Sequence, residues 1–429
     1  MPDDLRASPP ASAARPASIE GRASWVAAGV TLAILSVAYG STLLIVVGLR
    51  SMEANLGLPR SVLALAGALT WVGTGTGGIA MGWLADRIGV RTTVLIGTAM
   101  VAAGLALSAT GHLWAIYVGH GVLIGFLGMG AIYPPLVTYV SRWFDRRRGT
   151  AVALISSGQY IAGVAWPAAF AWLIAASGWR EAYLLYAGVV LLGVLPLALL
   201  FLRPPPEPIA AGSAAAAGHG DGRRVLGLPR NVVQAMICAA GFCCCVPMSI
   251  PQAHLVAFCG DLGIQAASGA AMLSLLLGCA FVSRQLWGSM ADRHGGLVTV
   301  LAGSSCQALA IVAFLLTQDE AGLFMVAAAY GLGFSGIIPS YVVAIRDLYP
   351  SAEASWRVPL VLFTAMSGMA FGSWFAGRLY ELFGSYASAF GTGIAFNIAN
   401  LLLVGFLVAR QRRGRHGLPR GALAAGVAG

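Results

Sequence analysis

The chain has 429 residues, of which 58% are hydrophobic and 10% charged, far below the roughly one-quarter charged residues of a soluble domain. A mean hydropathy of +0.80 argues against a cytosolic enzyme and calls for repeated bilayer-spanning helices. The 26 basic and 16 acidic residues sit mostly in short segments between apolar runs, so the basic excess sets membrane orientation and does not form a nucleic-acid surface.

Residues 1–23 are rich in Ala, Pro and Ser and have no apolar signal-peptide core, so they read as a disordered cytoplasmic tail. Twelve apolar runs follow, at about 24–49, 61–84, 92–110, 113–141, 149–176, 181–202, 230–258, 267–290, 297–317, 321–346, 357–382 and 386–409. Each is long enough to cross about 30 Å of hydrocarbon as a helix. A polar segment, 203–229, opens on Arg203-Pro-Pro-Pro and reads as a cytoplasmic linker between six-helix bundles at 24–202 and 230–409; 410–429 is a second cytoplasmic tail. With both termini cytoplasmic, 21 of the 26 basic residues, all of them Arg, fall inside. Only Arg50, Arg60, Arg180 and Arg378 fall outside, and Arg284 alone lies within a run.

The halves repeat. Gly82-Trp-Leu-Ala-Asp86-Arg87-Ile-Gly89 and Gly288-Ser-Met-Ala-Asp292-Arg293-His-Gly295 share five residues at a constant offset, and Gly178-Trp179 near the end of the first half is echoed by Gly384-Ser385. A duplicated six-helix unit is the plan of carriers that rock two halves about a central site. The seven cysteines have no metal-ligand spacing and read as small buried hydrophobes. Glycine runs at 73–78 and 125–130 lie inside apolar helices without a following Lys-Ser/Thr, so they read as close helix packing and not as phosphate loops.

The segment Gly82–Arg91 resembles the signature after helix 2 of the major facilitator superfamily, with its second copy after helix 8. The resemblance covers the whole transmembrane chain and implies an all-α fold of twelve transmembrane helices in two pseudo-symmetric bundles. Gly82, Asp86, Arg87, Arg91, Gly288, Asp292 and Arg293 are then expected to form a cytoplasmic latch, with Gly82 permitting close helix approach and Asp86 accepting from arginines. Within that superfamily the chain is similar to the monocarboxylate-transporter-like and oxalate/formate-antiporter-like branch. The carrying residues are Trp143-Phe-Asp-Arg-Arg-Arg-Gly149, His254-Leu-Val-Ala-Phe, Asp261-Leu-Gly263 and Arg284-Gln-Leu-Trp-Gly288.

Arg284 is the most informative residue, because an intramembrane charge needs a partner or a wet cavity and guanidinium matches carboxylate bidentately. The branch resemblance implies the same substrate-binding role. Snorkelling toward the cytoplasmic surface is the competing reading. The aspartate that animal-type monocarboxylate carriers place one turn earlier is Ala280 here, and the helix 11 lysine of oxalate exchangers is missing. His254 is the candidate proton carrier, against a neutral imidazole bonded to a carbonyl loosened by Pro247 or Pro251. Tyr39, Tyr133, Gln159, Tyr160, Tyr330 and Phe334 are candidates to complete a pocket of few donors on apolar walls. His120 reads as packing.

The sequence thus predicts a secondary carrier and not an enzyme, without cofactor or metal, in a bacterial inner membrane and monomeric. Its expected partners are a small organic anion such as lactate or pyruvate, protons and the lipid bilayer. The alternatives are an exporter of hydrophobic compounds and a transporter-shaped carboxylate sensor.

Overall fold

A computed structural model of the protein describes residues 20–144, 147–204 and 224–416. The predicted tails fall largely outside these residues, as do most of the linker, Asp145 and Arg146. Among the described residues, twelve helices are long and apolar enough to cross a membrane. In chain order the spans are 1 (Arg22–Leu56), 2 (Arg60–Ile88), 3 (Val90–Ala109), 4 (Leu113–Ser141), 5 (Thr150–Ser177) and 6 (Trp179–Phe201), followed by 7 (Arg230–Asp261), 8 (Ala266–His294), 9 (Gly296–Leu316), 10 (Glu320–Leu348), 11 (Trp356–Phe383) and 12 (Ala387–Arg413).

Two details differ from the sequence reading. Helix starts at Arg22, inside the predicted tail. The end of the predicted linker is a small antiparallel hairpin, Arg224–Val225 against Leu228–Pro229, turned through left-handed Leu226 and Gly227. Of the seven cysteines, all free, Cys244, Cys245 and Cys259 are buried as expected, whereas Cys306 is exposed and the other three are half-buried.

One hydrophobic core is built almost wholly from the first six spans and a second from the last six. The halves meet where span 2 packs on span 11, span 5 on span 8 and span 1 on span 7. The duplication is visible in the backbone. Gly89 and Gly295 end spans 2 and 8 with the same left-handed φ of 84°, each donating its N–H to the carbonyl four residues back.

Spans 2 and 4 touch backbone to backbone. A Cβ on Gly73 would overlap the Gly121 carbonyl oxygen, and one on Gly77 would overlap that of Phe126, so these runs are the close packing the sequence suggested. Here span 4 widens into a π-helical stretch, Val118–Met129. Gly73→Leu is expected to destabilise the fold by about 3 kcal/mol or more, because rigid backbone has to move. Gly67→Ala, with only Ile45 Cγ2 at 3.8 Å, is the matched tolerated change. Size-exclusion thermostability of the two variants checks this.

Span 1 is interrupted at Tyr39, where helices Arg22–Ala38 and Gly40–Leu56 abut. The carbonyls around the interruption are taken up by side chains. The Ser36 oxygen accepts from Trp166 Nε1 at 2.8 Å and Val37 from Tyr186 Oη at 2.6 Å, while Ala38 and Tyr39 accept from the Ser41 and Thr42 hydroxyls.

Candidate substrate cavity and outer gate

Arg284 sits ten residues before the C-terminal end of span 8, about 15 Å along the helix axis. It is half-buried. Its guanidinium lies over the ring of Tyr160 on span 5, 5.2 Å from the centroid. It therefore points across the boundary between the halves and not at lipid, and its positive field reaches the Tyr39 phenol. Among the described residues it forms no ion pair.

The aromatic candidates assemble around it. Tyr160 meets Phe334 edge-on at 6.3 Å, Phe334 stacks on Tyr330 at 4.9 Å, and Tyr39 meets Tyr133 edge-on at 5.9 Å. From Tyr39 outward runs a cavity of about 70 Å³ between spans 1, 2 and 4 on one side and 7 and 11 on the other, with Thr42, Trp71, Thr74, Ser249, Gln252 and Ser373 in its wall. At 10–15 Å³ per water-sized group, that is room for roughly five to seven such groups. Among the described residues no ionised side chain lines it.

Three candidates stand elsewhere than expected. The Tyr330 hydroxyl turns into the second core and donates to the Met248 carbonyl at 3.1 Å, so it offers the cavity nothing. Gln159 is half-buried and takes no part in the aromatic cluster. His254 does not line the cavity; it is buried and engaged on both ring nitrogens, Nε2 with the Ser373 carbonyl at 2.7 Å and Nδ1 with Tyr386 Oη at 2.9 Å. The carbonyl it meets belongs to span 11 and is not one loosened by Pro247 or Pro251. His120 is packing, held between Thr70 and Tyr183.

Among the described residues the expected latch residues do not pair across the halves. Asp86 pairs at 3.4 Å with Arg142 of its own half, both largely exposed, and Arg87 stacks on neighbouring Trp83. Arg91, Asp292 and Arg293 are exposed. A Cβ on Gly82 or Gly288 would meet nothing within 4 Å, which corrects the expectation of close helix approach at Gly82. Among the described residues no ion pair joins the halves at the end of the bundle that carries Asp86 and Asp292.

The outer end is sealed instead. Arg60, at the start of span 2, is 3% exposed although the sequence placed it in an external loop. It donates to Glu53 at 2.8 Å, to Asp261 of the second half at 2.6 Å and to Tyr386 Oη at 3.1 Å, and lies over the Tyr380 ring at 4.0 Å. Beside it the Ser61 N–H donates to Glu381 at 2.6 Å, and Arg50 approaches Asp261 at 3.9 Å. The halves are thus tied by ion pairs at the end that carries Arg60 and, among the described residues, by none at the end that carries Asp86 and Asp292. Nothing in the sequence joined Arg60 to Asp261, 201 positions away; the only signal was the scarcity of outer charges.

The model of the Major Facilitator Superfamily matches residues 30–316. The chain belongs to that superfamily. Among curated relatives of this facilitator, Monocarboxylate transporter 13 of Rattus norvegicus is 27% identical over 324 residues, 74% of this chain and 73% of that one. Monocarboxylate transporter 11 of Homo sapiens is 25% identical over 396 residues, 86% and 80% of the two chains. A crystal structure of a POT family transporter in complex with 5-aminolevulinic acid superposes with a TM-score of 0.69 at 15% identity, over 89% of this chain and 95% of that one. A nucleoside transporter superposes with the same score at 14% identity, over 91% and 100%. These structures establish the fold, and relatives and neighbours alike are transporters.

Proposed function

We propose that this facilitator carries a small monocarboxylate, lactate or pyruvate in size, together with a proton, by rocking its two halves about the cavity at Tyr39. The observation that carries the reading is the Arg284 guanidinium, without an ion pair among the described residues and directed at Tyr160 of the opposite half. An arginine at that depth needs an anion or water, and a carboxylate fits its fork. Tyr39 links this cation to a chamber whose free volume suits the six heavy atoms of a three-carbon hydroxy or keto acid. The relatives named monocarboxylate transporters point the same way.

A proton bound with the anion lets the loaded carrier cross without net added charge, and His254 is the titratable side chain beside the chamber, through Ser373. We place the protein as a monomer in a bacterial inner membrane, and with both termini cytoplasmic on the strength of the arginine distribution.

The test is uptake of labelled lactate and pyruvate into proteoliposomes with an imposed pH gradient, acidic on the outer face. Uptake is expected to accelerate with the gradient and to collapse with a protonophore. Uptake indifferent to both removes the proton, and no uptake of either acid removes the cargo.

A further inference from the structure

His254 belongs to a buried chain that ends in the outer gate. The Ser373 carbonyl can only accept, so the hydrogen at 2.7 Å must be on His254 Nε2. With that hydrogen in place, Nδ1 of the neutral imidazole accepts from the Tyr386 hydroxyl at 2.9 Å. The Tyr386 oxygen in turn accepts from Arg60 Nη1 at 3.1 Å, and Arg60 is the cation that ties Glu53 and Asp261 together across the two halves. Every hydrogen bond runs one way, from Arg60 through Tyr386 and His254 to Ser373.

A second proton on His254 cannot enter without reversing that chain. Nδ1–H would then donate to Tyr386, whose own hydrogen has to turn away from His254, toward the side on which Arg60 donates. The imidazolium would also stand one phenol oxygen away from the Arg60 guanidinium, like charge against like charge. Tyr386 has little freedom to step aside, since its ring is packed against Tyr380, Phe258 and Phe390 and is 2% exposed. The charged and titratable groups around the chain are Arg60 and Tyr380, Glu53 and Arg50 of span 1, Asp261 of span 7, and Glu381 of span 11.

We propose that Tyr386 is a positioning residue through which the outer gate senses the proton on His254, so that the gate closes on the neutral imidazole and is released by the imidazolium. The proposal rests on His254 as the proton carrier but is independent of the cargo. It places the proton step ahead of closure: the carrier shuts behind its load only after His254 has given its proton to the bound carboxylate, which then takes it across.

The test needs no substrate. Nitroxide labels on exposed Ala54, at the outer end of span 1, and exposed Ala267, at the outer start of span 8, report the separation of the halves in reconstituted full-length protein. The accessible Cys238, Cys243, Cys279 and Cys306 are replaced by alanine. Between about pH 8 and pH 5, the fraction with the long inter-label distance is expected to rise at least about fivefold. In Tyr386→Phe, which keeps the ring packing, and in His254→Gln, the rise is expected to disappear. A rise that survives Tyr386→Phe assigns the pH response to Glu53 or Asp261 and overturns the proposal, as does a parent protein with no rise. A pH-dependent gate in a protein that takes up neither acid would leave this inference standing and remove only the cargo.

Discussion

Arg284→Gln abolishes carboxylate uptake while leaving the protein folded: the expected fall in kcat/KM for labelled lactate is about a hundred- to a thousandfold. Losing a charge-assisted contact in a desolvated site costs about 3–4 kcal/mol, and each 1.4 kcal/mol is a factor of ten. No ion-pair partner is orphaned, because among the described residues Arg284 forms no ion pair and lies over the face of Tyr160. The melting temperature is therefore expected to hold or rise slightly, as a membrane-embedded charge is removed. Arg284→Lys keeps the charge but loses the fork, so it should retain weak uptake with a raised KM. Uptake by the glutamine variant within threefold of the parent would detach the carboxylate from this residue.

Arg60→Ala has the second-largest expected effect, on conformation. Breaking a buried ion pair by removing one partner costs about 3–5 kcal/mol. Here the two carboxylates retain side-chain exposures of 30% and 20%, which lowers the figure to about 2–3 kcal/mol. Since Arg60 joins Glu53 of the first half to Asp261 of the second, the loss falls on the closed-outside state. The population should move outward by roughly thirty- to a hundredfold. A cysteine placed at Thr42, in the cavity wall, would then label from outside with an impermeant maleimide in the Arg60→Ala background and stay protected in the parent. Equal protection in both would mean that the outer seal does not depend on this cation.

The twelve spans and the internal repeat were legible because each rests on a local property: run length, composition and a constant offset. Arg284 was legible for the same reason, as the lone charge within an apolar run. The outer gate was not. Arg60, Asp261 and the pair Glu381 and Tyr386 come from three separate segments, each individually resembling a solvated loop end, and the packing of span 2 on span 11 brings Arg60 against them. His254 was found for its chemistry but given the wrong neighbours, because the Ser373 carbonyl and the Tyr386 hydroxyl are 119 and 132 positions away. The latch motif was read as a contact between halves, whereas among the described residues its only ion pair, Asp86 with Arg142, stays within one half. A motif specifies which groups are available, and the conformational state decides whether they meet.

The interruption of span 1 at Tyr39 carries a consequence for motion. In a regular membrane helix, bending strips amide bonds that hydrocarbon cannot replace. Here four successive carbonyls are already served by an indole, a phenol and two aliphatic alcohols, donors on rotatable bonds that can follow an oxygen as it swings. The joint can therefore flex without uncovering polar backbone to lipid, and the residue at its vertex is the one whose ring borders the chamber. Cargo pressing on that phenol would bear directly on the articulation of the helix.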